Sequence, residues 1–177
     1  LTCGRSIDQD VNGYIWISNN DDFRQITQIN PNTNEIMKII GNSYGTGEGQ
    51  FKALSGIAID NNNKMWIVDE LQNRITRYDI NTDTYSVFNP SLALNCPFEI
   101  DCDSLGNLWI ADSGNNRIIK YNPVTQSCTA YGSLGVSAGQ LSNPHDISID
   151  KNNDVWVADY GNSRIQRYRV NKNTWEC

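Results

Sequence analysis

One stretch constrains the fold more than any other, NLWIADSGNNRIIKY at 107–121, because the chain writes it again as DVWVADYGNSRIQRY (154–168) and KMWIVDELQNRITRY (64–78). A looser copy, YIWISNNDDFRQITQ, begins at Tyr14. Aligned on Trp16, Trp66, Trp109 and Trp156, the copies carry an arginine eight residues on: Arg24, Arg74, Arg117 and Arg164. Three carry an aspartate three residues on, Asp69, Asp112 and Asp159, and the first has Asn19 there. The tryptophans fall 50, 43 and 47 residues apart. A unit of that length, written four times, marks a repeat architecture in which neighbouring units bury each other's apolar faces.

Each repeat has the same four segments. A short alternating run (GRSID, SGIAID, FEIDCD, HDISID) holds Ile7, Ile57, Ile100 or Ile147 nine residues before the tryptophan, and period two means strand. A turn rich in Asp, Asn and Gly follows, supplying the positive-φ residues that tight hairpins need. The second strand carries the tryptophan. After a polar loop (SGNN, YGNS, ELQN), the third strand opens with the arginine and closes on Tyr78, Tyr121 or Tyr168. A second Asn/Asp/Pro turn leads to a fourth segment. Four antiparallel strands per repeat without helical periodicity describe a β-propeller blade, so the expected fold is all-β with almost no α-helix. The chain reads as one domain, 1–177, with blades at about 4–41, 54–90, 97–132 and 144–177. The glycine-rich segments GNSYGTGEGQF (41–51) and YGSLGVSAGQL (131–141) read as crossovers between blades; a phosphate cradle would need a helix behind it, and no helical pattern follows.

Composition narrows the classes of function. With 38% hydrophobic and 10% aromatic residues the chain can bury a core, and it has no apolar run long enough for a helical membrane span. A net charge of −6 argues against a nucleic-acid backbone as partner, since four of the 14 basic residues are the repeated arginines. The opening LTCGRS has no charged n-region and apolar h-region, so no signal peptide is expected in the chain as it stands; a mature chain would read the same.

The runs GQLSNPHDISIDKNNDVWVADYGNSRIQRY, SGIAID with MWIVDELQNRITRY, and CPFEIDCD with LWIADSGNNRIIKY resemble the NHL-repeat family of β-propellers. The resemblance implies four NHL-like blades, as a complete small ring or an arc of a larger propeller. It also implies that Asp69 with Arg74, Asp112 with Arg117, and Asp159 with Arg164 are structural partners. The spacing supports this independently, because five residues across a strand-to-strand loop place both side chains at one end of the hairpin. Asn115 and Asn116, between them, are expected to bond loop backbone groups. The tryptophans read as packing residues.

His145 is the single histidine, just after Pro144 at the start of an innermost strand. It is too solitary for a multi-histidine zinc site or for chemistry like that of the similar amidating-enzyme lyases. Streptogramin lyases share short tryptophan-bearing repeats of similar look, and an enzyme of that kind would use His145 with Glu99 or Asp146 at a channel mouth. Asp8, Glu99 and Asp146 would suit a divalent cation in enzymes resembling the gluconolactonase type. Turns such as DKNND have the oxygen-rich look of a calcium loop but lack the glutamate at position twelve. No cofactor is therefore expected, and bound calcium would be incidental.

Five cysteines leave at least one unpaired within the chain. Cys102 reads as a buried thiol of an innermost strand, and Cys96, roughly 20 Å away along the chain, cannot bridge it. Cys128, about three strand spacings from either, is open to intermolecular pairing. Cys3 and Cys177, at the two ends, are the candidate disulfide, a latch contributing about 4–5 kcal/mol by the loop-entropy argument and implying an oxidising compartment. The expected location is therefore extracellular, or cytoplasmic if every cysteine is reduced. The expected function is non-enzymatic: a binding or structural module engaging a protein, or further copies of itself, through a propeller face. The alternative is a lyase or hydrolase around His145.

Overall fold

The computed structural model describes residues 4–20, 22, 24–41, 43–88 and 91–177. They form four sheets of four antiparallel strands in simple chain order, the blade of a β-propeller written four times. The first sheet is β1 (Gly4–Gln9), β2 (Ile15–Asn19), β3 (Gln25–Ile29) and β4 (Ile36–Gly41). The second is β5 (Leu54–Ile59), β6 (Lys64–Asp69), β7 (Arg74–Asp79) and β8 (Thr84–Phe88). The third is β9 (Pro97–Cys102), β10 (Leu108–Asp112), β11 (Arg117–Asn122) and β12 (Ser127–Tyr131). The fourth is β13 (Pro144–Ile149), β14 (Val155–Asp159), β15 (Arg164–Arg169) and β16 (Thr174–Glu176). Helix among the described residues is confined to single 3-10 turns at Glu70–Gln72, Ser113–Asn115 and Tyr160–Asn162. None of these is long and apolar enough to cross a membrane.

The turns carry the backbone conformations that the sequence promises. Gly13, Asn63, Gly106 and Asn153, each three residues before its tryptophan, all have positive φ. Asn34, Asp83, Gln126 and Asn173 do the same in the second hairpin of each sheet. Glycine and asparagine reach this left-handed region with the least steric penalty, which is why the turns are written in them.

The chain divides into two compact units, 1–88 and 89–177, each holding two sheets. In the first, Trp16 and Ile26 of one sheet pack against Ile57, Met65, Ile67 and Tyr78 of the other. In the second, Trp109 and Ile118 pack against Ile147, Val155, Val157 and Tyr168 in the same way. Every sheet thus has a tryptophan face and an isoleucine face. Within each unit the tryptophan face of the first sheet is covered by the isoleucine face of the second. Each such buried side chain contributes on the order of 1.5–3 kcal/mol of transfer free energy.

Polar contacts set the register of this packing. On the innermost strands, Asp8 accepts the Ile59 backbone N–H at 2.6 Å in one unit, and Asp101 accepts that of Ile149 at 2.7 Å in the other. Burial pushes the Asp8 carboxyl above its ordinary pKa, although the N–H groups of Ile59 and Gln9 favour its ionised form. Asp8, considered from the sequence for a divalent cation, is therefore a cross-sheet tie.

Candidate functional site

The repeated acid and arginine sit at one end of each hairpin, as opposite partners in the β-ladder: Asp69 with Arg74, Asp112 with Arg117, Asp159 with Arg164. Arg117 and Arg164 each donate through Nε to the aspartate Oδ2 at 2.7 Å, and all three carboxylates are fully buried. A third residue completes the clasp. Asn115 and Asn162 donate to the same Oδ2 at 2.9 Å and to a carbonyl of the preceding linker, Ala93 or Gly135. In the second sheet Gln72 does this to Asp69 and Gly45, and its longer side chain accompanies a wider pair, Arg74 Nη2 standing 3.8 Å from Asp69.

The clasp explains the glycine-rich crossovers. Arg164 donates to the carbonyls of Val136, Ser137 and Gln140, and Arg74 to those of Thr46, Gly47 and Gln50. Each loop wraps a guanidinium with its carbonyl oxygens, the opposite polarity to a phosphate cradle, which presents N–H groups. The other carboxylate oxygen accepts a linker N–H: Ala53 for Asp69, Asn95 for Asp112, Ser142 for Asp159. Each pair therefore fastens a linker to the blade that follows it. Burial alone would push the Asp159 carboxyl up, but the hydrogen bonds from Ser142, Asn162, Arg164 and Gln166 outweigh it and hold it below the usual aspartate range.

A second fourfold pattern lies in the hairpin turns. Asp10, Asp60, Asp103 and Asp150, each six residues before a tryptophan, accept its indole N–H through Oδ2 at 2.8–3.2 Å. Through Oδ1 the same aspartates accept the backbone N–H groups two and four residues on. The oxygens that gave DKNND its calcium-loop look are thus already occupied by the hairpin and the indole. Across the ladder a cation covers three of the rings: Arg77 over Trp66, Lys120 over Trp109 and Arg167 over Trp156, at 5.0–5.9 Å. The signal is legible in the sequence as an aspartate six residues before each of Trp16, Trp66, Trp109 and Trp156, although by sequence these turns read only as hairpin turns.

The first repeat departs in register as well as in residue type. Asn19 pairs with Gln25, so Gln25 occupies the place held by Arg74, Arg117 and Arg164. Arg24, aligned with those arginines in the sequence, instead has φ 47 and occupies the left-handed turn position that Asn73, Asn116 and Ser163 hold elsewhere. One extra loop residue accounts for the slip. Arg24 still reaches its linker, donating to the Lys52 carbonyl at 3.0 Å.

His145 lies between two parallel aromatic rings, Phe98 at 4.5 Å and Tyr160 at 4.1 Å between centroids. Its Nε2 is 3.1 Å from the Asn143 side-chain amide. Both faces and one nitrogen of the imidazole are thus engaged. Glu99 and Asp146, its expected partners, turn a carboxylate oxygen to a neighbouring backbone N–H, that of Ile100 and Ile147 respectively. Among the described residues no group of three or more His, Cys, Asp or Glu side chains is placed to hold a metal ion.

Of the cysteines, Cys102 is half-buried on β9 rather than buried, because its position falls at the strand end beside the turn. Cys96 is exposed. Cys177 is an exposed thiol with Sγ 3.4 Å from Gln166 Oε1. Cys3, the other half of the expected latch, lies outside the described residues.

Exposure separates Trp156 from its equivalents. Trp16, Trp66 and Trp109 are at most 1% exposed, whereas Trp156 is 40% exposed and Ile165, on the same face, 62%. The first sheet shows the converse. Ile57, Ile100 and Ile147 are buried, but Ile7 is 65% exposed, with Ile36 and Ile39 open on the same face. Two chemically complementary faces, one on each of the outer repeats in chain order, are open to solvent.

Four-stranded blades with aspartate-locked tryptophans and clasped linkers define the class of protein as an all-β propeller. Residues 141–168 match the NHL repeat, the run in which the resemblance was read from sequence. No curated protein matches the chain by sequence. Among solved structures, the catalytically inactive variant of virginiamycin B lyase from Staphylococcus aureus with quinupristin is 22% identical, with a TM-score of 0.74 over 98% of this chain and 54% of the lyase. An auxiliary nutrient binding protein from Bacteroides thetaiotaomicron is 15% identical, with a TM-score of 0.68 over 92% and 46% of the two chains. An extracellular domain from B. thetaiotaomicron is 20% identical, with a TM-score of 0.69 over 98% and 24%. The chain thus spans about half the length of the lyase it resembles.

Proposed function

We propose that this chain is a non-enzymatic binding module that engages protein through a propeller face. The observation that carries this reading is the open tryptophan face of β13–β16, where Trp156 and Ile165 are exposed although their equivalents elsewhere are buried. Apolar side chains exposed on a face that is buried in the other repeats are the kind of surface a protein partner covers. The repeated charges are engaged in holding linkers and hairpins. With the net charge of −6, this leaves little basis for nucleic-acid binding. No cofactor belongs to this reading. The similarity to an extracellular domain and a nutrient binding protein supports a location outside the cytoplasm.

A lyase reading is favoured by the structural similarity to virginiamycin B lyase and by the position of His145. The geometry weighs against it, because a general base needs a free nitrogen directed at substrate and supporting groups in reach. His145→Ala is expected to leave the far-ultraviolet circular dichroism intact and to change no turnover, with the purified chain showing none towards quinupristin. Consumption of quinupristin by the wild-type chain, lost about 100-fold or more in a folded His145→Ala variant, would replace the binding reading with the enzymatic one.

A further inference from the structure

We propose that the open tryptophan face of β13–β16 docks the open isoleucine face of β1–β4 from a second copy of this chain. The proposal rests on the binding reading and names its partner. Both units show what covers a tryptophan face. In each it is the isoleucine face of another repeat: Ile57, Met65, Ile67 and Tyr78 over Trp16, and Ile147, Val155, Val157 and Tyr168 over Trp109. The fourth sheet presents the same surface open to solvent at Trp156 and Ile165, and the first sheet presents the matching cover, exposed at Ile7, Ile36 and Ile39.

Polar groups match the same register. Within the first unit Ser6, ten residues before its tryptophan, accepts the Ile57 N–H through Oγ at 3.2 Å. Asp146 holds that position before Trp156 and is exposed. In the docked pair its carboxylate takes the role of Ser6 towards the Ile7 N–H. The faces also differ in charge beside this contact, the exposed Asp146 lying on the fourth sheet and the exposed Arg5 beside Ser6 on the first. The contact is head-to-tail, each chain offering one tryptophan face and one isoleucine face.

Sedimentation equilibrium of the wild-type chain is expected to give at least twice the chain mass. Ile7→Glu and Ile165→Glu each place a carboxylate in one of the two faces without touching a buried residue. Each alone is expected to weaken association at least about 100-fold, because a charge would be buried unpaired. An equimolar mixture of the two keeps one intact tryptophan face and one intact isoleucine face, so association is expected to return. A wild-type chain monomeric at every concentration, or folded variants whose mixture stays monomeric, overturns the proposal. If the monomeric chain binds a different protein and Ile165→Glu abolishes that, the second copy is the wrong occupant and the binding reading survives. If His145-dependent turnover is found, the binding reading itself fails.

Discussion

Asp112→Ala is expected to destabilise the chain by about 3–5 kcal/mol, measured as a lowered urea midpoint at unchanged slope. The carboxylate is fully buried and satisfies the Asn95 N–H, the Asn115 amide and the Arg117 guanidinium. Its removal leaves a largely buried cation and a backbone donor without acceptors. Asp112→Asn keeps one acceptor oxygen and loses the charge, so it is expected to cost less, about 1.5–3 kcal/mol. A loss within about 0.5 kcal/mol for Asp112→Ala would show that the clasp does not hold the linker. The same clasp predicts acid sensitivity. Asp159 has its folded pKa lowered below the unfolded value, so its contribution is fully present above the unfolded pKa and disappears as pH falls through the folded one. Unfolding free energy is therefore expected to drop below about pH 4, and less so in Asp159→Asn.

The second large effect is a difference between two chemically identical substitutions. Trp109→Ala is expected to cost about 3–5 kcal/mol, because it empties a site between two sheets and leaves Asp103 without its indole donor. Trp156→Ala, at a concentration where the chain is monomeric, is expected to cost roughly half that or less, since much of the ring already meets water. Equal losses would contradict the open face from which both the binding reading and the second-copy proposal start.

Much of the fold was legible because its determinants are local. A hairpin needs alternation and a residue that tolerates positive φ, and both are written at fixed distance from Trp16, Trp66, Trp109 and Trp156. The acid and arginine lie five residues apart across one loop, so their meeting needed no knowledge of other blades. What they hold was harder to see. The carbonyls that receive Arg74 and Arg164 come from linkers 24–28 residues earlier, and nothing in a glycine-rich run says whether it will present its N–H groups or its oxygens. The slip of Arg24 was hidden for a similar reason. One inserted loop residue preserves the arginine's distance from the tryptophan while moving the ladder by one, and only the pairing of Asn19 with Gln25 exposes it.

His145 marks the boundary on the functional side. Its solitude argued against a metal site, but its role rests on Phe98 and Tyr160, which come from other strands and loops of the same unit. Residue type alone could not say that both faces of the imidazole would be covered. The sequence by itself determined the repeating strand unit, its turns and the partners that lock each hairpin, because those contacts close over a few residues of chain. Only the tertiary structure decided which tryptophan stays open to solvent. Burial of a blade face depends on what is packed against it, and four near-identical copies cannot announce which of them lacks a neighbour.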